Sequence, residues 1–214
     1  MEVDRPGPGE ELNLGAAPVE PRQAATVIVL RGGTETLEVL LVQRNPEQRF
    51  MGGAWVFPGG AVDDAEAAAG DRAHRLAGVR EVEEEAGVAL GGPDALHPFS
   101  RWITPREVAK RFDTYFFLAR VPEDAQPEVD GAECIGWGWW APSDALRAYE
   151  AGDLVLVFPT IKTLEALQGF GSADELLTWA DGREVVPIEP RVVVEGEVAR
   201  VVLPGEPGYE EIDR

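Results

Sequence analysis

The sequence predicts an α+β domain with helices packed on the faces of a sheet. Three observations carry this expectation. Short β-branched and aromatic runs lie on both sides of an amphipathic helical segment, strands and helices mix without regular βαβ alternation, and no internal repeat is present. Residues 1–22 carry Pro6, Pro8, Pro18 and Pro21 among glycines and glutamates, with no hydrophobic period, and are expected to form a flexible arm. Ala25–Leu30 and Leu37–Val42 are aliphatic runs separated by Arg31-Gly32-Gly33, which suggests paired strands. A third short strand, Ala54–Phe57, ends at Pro58-Gly59-Gly60.

Residues Asp71–Ala86 contain no proline and place Leu76, Val79, Val82 and Ala86 at spacings of three and four, an amphipathic helix stopped by Gly87. Asp113–Val121 and Cys134–Trp140 read as further strands, the first rich in aromatics and the second in tryptophan. Pro142-Ser143-Asp144 opens a helix, and Thr160–Leu167 and Ala173–Ala180 read as two more. Val185–Ile188, Arg191–Val194 and Val198–Leu203 are expected to be short terminal strands. The expected organisation is an arm over 1–22, a domain over 23–150, and an extension over 151–214 packed on it.

Composition narrows the function. The chain has 214 residues, 44% hydrophobic and 27% charged, enough to bury a sizeable core. Lys and Arg number 19 against 39 Asp and Glu, a net charge of -20 that repels phosphate backbones and anionic membranes. No nucleic-acid or membrane partner is expected, and no apolar run approaches the roughly 18 residues that cross a bilayer. The single Cys134 allows no disulfide within the chain, and no basic segment followed by an apolar stretch opens it, so the expected location is cytoplasmic. A homodimer is compatible with the sequence.

The most informative segment is Arg80-Glu81-Val82-Glu83-Glu84-Glu85-Ala86-Gly87-Val88. On a helix of about 100° per residue, Glu84 and Glu85 lie at about -60° and +40° from Glu81, on one carboxylate face. Glu83 turns toward the apolar side and is expected only at the exposed helix edge. Carboxylates held this closely repel unless a cation sits among them, and such hard oxygen donors suit Mg²⁺ or Mn²⁺. A solvated acidic face is the plain alternative for an isolated run of glutamates. The glycine turn at Phe57-Pro58-Gly59-Gly60, followed by Glu66, favours a site, because backbone can approach a ligand closely there.

At these residues the sequence resembles the Nudix hydrolase family, whose box reads G-x5-E-x7-R-E-U-x-E-E-x-G-U, U being a bulky aliphatic residue. Gly60, Glu66, Arg80, Glu81, Val82, Glu84, Glu85, Gly87 and Val88 match. One departure stands out: thirteen residues, Ala67 to Val79, separate Glu66 from Arg80 where the family usually has seven. The resemblance implies an α/β/α sandwich with a mixed sheet and metal-dependent cleavage of a diphosphate linked to another moiety. By position it makes Glu81, Glu84 and Glu85 metal ligands with the Gly59 carbonyl, and Glu81, Glu84 and Arg80 catalytic, Arg80 orienting a glutamate. The role of Glu66 is open across the longer loop. The general base is either Glu81 or Glu133, the latter from a later loop; a plain surface role for Glu133 stands beside that.

A second resemblance concerns substrate. Leu40-Leu41-Val42-Gln43-Arg44-Asn45, then Arg49, Gly53 and Phe57-Pro58-Gly59-Gly60, is similar to the motif of coenzyme A diphosphatases, L-L-T-x-R-[SA]-x3-R-x3-G-x3-F-P-G-G, with Val42 for its threonine and Asn45 for its small residue. This implies Arg44 and Arg49 on substrate phosphates. Ile103-Thr104-Pro105 and Arg111-Phe112-Asp113-Thr114, with the inserted box, are similar to the peroxisomal-type branch of those enzymes. ADP-ribose, dinucleotides and oxidised nucleotides compete as substrates, and a nucleotide sensor without hydrolysis is the reading from another class.

Overall fold

The computed structural model describes residues 12–13, 17–48, 51–195 and 198–210. The chain runs β1 (Arg22–Arg31), β2 (Glu38–Arg44), β3 (Trp55–Val56), β4 (Gly59–Ala61), α1 (Asp64–Ala67), α2 (Ala73–Ala86), β5 (His97–Ile103), β6 (Phe112–Arg120), β7 (Cys134–Trp140), α3 (Pro142–Ala151), α4 (Phe158–Leu167), α5 (Ala173–Ala180), β8 (Pro187–Ile188), β9 (Arg191–Glu195) and β10 (Val198–Val202). Strand β1 organises the mixed sheet. One edge pairs parallel with β6 over its length, from Arg22↔Phe112 to Leu30↔Arg120. The other edge forks: its first half pairs with β4, Ala24↔Ala61 to Thr26↔Gly59, and its end pairs with β2, Leu30↔Val39 and Arg31↔Glu38. Beyond the fork β2 carries β3 and β7, while β6 leads to β5 and β8.

Alternation along the strands divides the interior into two layers. Ala25, Val27 and Val29 of β1, Leu40 and Val42 of β2, and Phe117 and Ala119 of β6 face Ala77, Val82 and Ala86 of α2. Ile28, Leu30, Val39, Leu41, Phe116 and Leu118 face the other way, onto Ile161, Leu164 and Leu167 of α4 and Leu176 of α5. Each such side chain fully buried contributes roughly 1.5–3 kcal/mol. Helices on both faces of a mixed sheet give the α/β/α sandwich. Residues beyond 151 therefore help to close the main core rather than sit apart from it.

Three elements differ from expectation. Strand β5 arises in a segment for which the sequence predicts no element, because His97-Pro98 at its start and a register shift between Pro98 and Ser100 break the alternation that marks strands. Gly59–Ala61 form β4, not only a turn; β1 dictates that pairing where local propensity opposes it. The stretch read as a flexible arm is tied down among its described residues. Leu12 bridges Val108, the Asn13 N–H donates to the Glu107 carbonyl (2.6 Å), and the buried Arg111 donates to the Val19 carbonyl (2.7 Å). Among the described residues no helix is long and apolar enough to cross a membrane.

Candidate active site

Helix α2 is held against β1 by small residues. A Cβ on Gly78 would come within 2.9 Å of Val27 Cγ2, so only glycine lets the helix approach this closely. The helix ends at Gly87, whose φ of 62° closes it in the left-handed conformation that glycine favours. Its buried face is Ala73, Ala77, Gly78, Glu81, Val82, Glu85 and Ala86, while Leu76 and Val79 are only partly covered. The inward face is thus rotated from the one the aliphatic spacing suggested, and it carries two glutamates. Glu83 is exposed, as its position at the helix edge implied.

The glutamates are not equivalent. Glu85 is 3% exposed and accepts a hydrogen bond from the Gly59 N–H at 3.0 Å. Glu81 is also buried, and a Cβ on Gly60 would fall 2.3 Å from its Oε1, so Gly60 is the floor on which that carboxylate rests. Glu84 stands at the rim with its side chain 59% exposed. Gly59 itself has backbone for a neighbour, since a Cβ there would meet the Ala25 carbonyl at 2.4 Å.

Arg80 ties the face together. Its Nη1 donates to Glu81 Oε1 (2.7 Å) and Glu84 Oε2 (2.9 Å), its Nη2 to the Ala61 carbonyl (3.0 Å), and its Nε to Glu66 Oε1 (2.8 Å). The longer loop therefore does not remove Glu66 from the site. Between Glu66 and α2 the chain passes from the end of α1 at Ala67 through a 3-10 turn, Gly70–Arg72, on the surface. Glu66 sits at the third position of α1, where its carboxylate also accepts the Asp63 N–H at 2.8 Å in a capping box. The spacing Asp63-Asp64-Ala65-Glu66 is a readable sequence signal for this turn.

These residues border a cleft of about 300 Å³ lined by Arg80, Glu81, Glu84, Glu85, Asp130 and Glu133. Glu133 is exposed at the rim opposite α2, and Asp130, missed from sequence, shapes its loop by accepting the Glu133 N–H (2.9 Å) and the Cys134 N–H (2.9 Å). Arg44 directs its Nη1 at Glu85 Oε1, 3.5 Å away. Arg49 lies outside the described residues. Burial pushes Glu85 up to about 7, with Glu81 and Glu133 adding to the rise against the Gly59 N–H and Arg44. Burial likewise raises Glu81, and Arg80 opposes it. Burial also works to raise Glu66, but the hydrogen bonds from Arg80 and the Asp63 N–H outweigh it and hold Glu66 below the usual range. Cys134 is buried beside them, and burial pushes its thiol up to about 12.

Among the described residues no three carboxylate, imidazole or thiol groups stand close enough together to enclose a metal ion. Arg80 occupies one oxygen each of Glu81 and Glu84. Among the described residues their second oxygens accept no hydrogen bond, and Glu85 keeps a buried oxygen pair facing Arg44 and the Gly59 N–H. Hard oxygen donors in excess over cationic side chains fit a divalent cation.

The NUDIX domain matches residues 20–159. The chain belongs to the NUDIX family. A Nudix-type pyrophosphohydrolase acts on phosphorus anhydrides in small-molecule diphosphates, and that is the class of enzyme described here. The chain is 25% identical to the acyl-coenzyme A diphosphatase NUDT19 of Homo sapiens, over 92% of this chain and 82% of that protein. The fold is similar to a NUDIX hydrolase from Alicyclobacillus acidocaldarius, with a TM-score of 0.67 and 28% identity over 75% of this chain and 96% of that one. The NUDIX domain of Shewanella oneidensis NrtR, complexed with ADP ribose, shares the fold at a TM-score of 0.54 and 18% identity, over 71% of this chain and 88% of that one.

Proposed function

We propose that this Nudix enzyme hydrolyses the diphosphate of coenzyme A or an acyl-coenzyme A, using Mg²⁺ or Mn²⁺. One observation carries the reading: Glu85 is buried against the Gly59 N–H beside Glu81 and Glu84, which Arg80 bridges at the mouth of a cleft. Glu81, Glu84 and Glu85, with the Gly59 carbonyl, would hold the cation. A bound divalent ion supplies charge neutralisation at the diphosphate oxygens and lowers the pKa of water. Arg80 orients Glu81 and Glu84, and Glu66 orients Arg80. Water adds to one phosphorus, the bridging P–O bond breaks, and a carboxylate takes the water's proton, from Glu81 on the helix or Glu133 across the cleft. The products are 3′,5′-ADP and a phosphopantetheine.

The coenzyme A choice rests on the motif from Leu40 to Gly60 and on the similarity to acyl-coenzyme A diphosphatases. Arg49, on the segment leading into the glycine turn, is assigned to substrate phosphate. The reading confines the reaction to a small molecule in the cytoplasm, without nucleic acid or membrane, in a domain over 23–150 completed by 151–214. A panel of coenzyme A, acyl-coenzyme A, ADP-ribose and dinucleotides, incubated with each metal and followed by identification of both products, tests it. Arg49→Ala should weaken coenzyme A turnover roughly ten- to a hundredfold, and more than ADP-ribose turnover. Efficient cleavage of ADP-ribose with none of coenzyme A would reject the substrate and keep the chemistry. Nucleotide binding without turnover would make the chain a sensor.

A further inference from the structure

Two adjacent residues at the end of β2 reach opposite walls of the cleft. The register between β2 and β7 shifts between Gln43 and Arg44, where Gly136 and then Cys134 are their partners. The extra residue, Ile135, lies on β7, so the bulge bends β7 where it meets the end of β2. Arg44, 17% exposed, turns toward α2 and Glu85. Asn45 turns the other way. Its Nδ2 donates to the Ala132 carbonyl (3.0 Å) and its N–H to the Glu133 carbonyl (2.8 Å), while its Oδ1 accepts the Glu47 N–H (3.0 Å). Neither residue lines the cleft, yet each holds a residue that does.

We propose that Arg44 and Asn45 are positioning residues, a two-sided clamp that fixes Glu85 and Glu133 relative to each other across the cleft. The inference rests on the reading of those carboxylates as working groups. It gives the departure from the coenzyme A motif at 45 a purpose. Alanine offers neither group and serine one short hydroxyl for both tasks, whereas the carboxamide braces its own turn with Oδ1 and reaches residue 132 with a separate donor, Nδ2. The Glu133 loop is organised from within by Asp130, and Asn45 adds a side-chain tie to it beside the β2–β7 pairing of Arg44 with Cys134. The clamp is therefore a route by which the two walls keep one spacing.

The test is a double-mutant cycle on the full chain, with hydrogen exchange as a readout independent of turnover. Asn45→Asp keeps the acceptor for Glu47 and loses the donor to Ala132, and Asn45→Ala removes both. Either should speed amide exchange across residues 130–134 at least about tenfold. Each should lower kcat about five- to tenfold with KM unchanged within about twofold, and add no further loss in a Glu133→Gln background. Arg44→Gln should likewise lower kcat and leave KM alone. Unchanged exchange, or losses that multiply in the double variant, overturns the Asn45 arm. A raised KM with normal kcat in Arg44→Gln places that guanidinium on substrate and overturns the other. Full activity of Glu133→Gln alone would remove Glu133 from the underlying reading, and the tether would then stand or fall on exchange.

Discussion

Glu66 and Arg80 are joined by two hydrogen bonds, 2.8 Å to Nε and 3.2 Å to Nη2, across an insertion that would be expected to separate them. The pair shows that chain length between them is taken up on the surface, where loop closure costs little per added residue. Glu66→Gln should lower the melting temperature by roughly 2–4 °C, about 1 kcal/mol, because one charge-assisted partner of Arg80 becomes neutral. The pH dependence follows from the depressed Glu66. Its contribution is present above the unfolded carboxylate value of about 4.3 and is lost as pH falls through the lower folded value. Melting curves of both proteins between pH 3 and 7 should therefore converge at the acid end, and parallel curves would reject the assignment.

Glu85 should behave in the opposite sense. Its folded value of about 7 lies above the unfolded one, so the native chain holds a proton that the unfolded chain releases. Without divalent metal, the stability this group contributes is complete below about 4.3 and is lost as pH rises through 7. Glu85→Gln should flatten that slope in urea titrations with a chelator present. At pH 8 it should be at least as stable as the parent. Turnover should nevertheless fall at least about a hundredfold, as it should for Glu84→Gln. A Glu85→Gln protein with full activity would move the site elsewhere.

The two glycines of the turn should fail differently. Gly60→Ala presses a methyl on a carboxylate, 2.3 Å from Glu81 Oε1, which can swing aside, so turnover should collapse for a modest loss of about 1–2 kcal/mol. Gly59→Ala presses on backbone, 2.4 Å from the Ala25 carbonyl, which cannot swing, and should cost stability of about 3 kcal/mol or more. Calorimetry with activity on the same samples checks the order; equal stability losses would contradict it.

Deleting residues 1–20 should lower the melting temperature by a few degrees. The deletion takes the Val19 carbonyl from Arg111, whose guanidinium is 7% exposed and keeps, among the described residues, the Thr104 carbonyl and Glu189. A partner lost from a buried charge costs about 1–3 kcal/mol. An unchanged melting temperature would show the segment to be dispensable.

Much of this was legible in the residues. Gly87 marked the end of α2, Cys134–Trp140 and Ala173–Ala180 are bounded as their patterns implied, and Arg80 with its glutamates is drawn together as the helical spacing required. The less legible parts were those set by distant chain. The inward face of α2 is built on Ala73, Ala77 and Gly78, which carry almost no hydrophobic signal, so the larger Leu76 and Val79 misdirected the wheel. Strand β4 owes its existence to β1, and β5 is masked by Pro98 and its bulge. Asn45 looked like a mismatch because its partner, Ala132, is far along the chain.

The fork of β1 has a mechanical meaning. One strand anchors β4, which presents Gly59 to Glu85, and also β2, whose last residue reaches the same carboxylate. Both branches rest on the same strand, so a displacement of β1 disturbs both sides of the cleft at once. The carboxylate cleft should thus have no low-energy way of opening by itself: the slowest-exchanging amides should run along Val27–Leu30, and catalytic competence should vanish only with cooperative melting of the entire sheet.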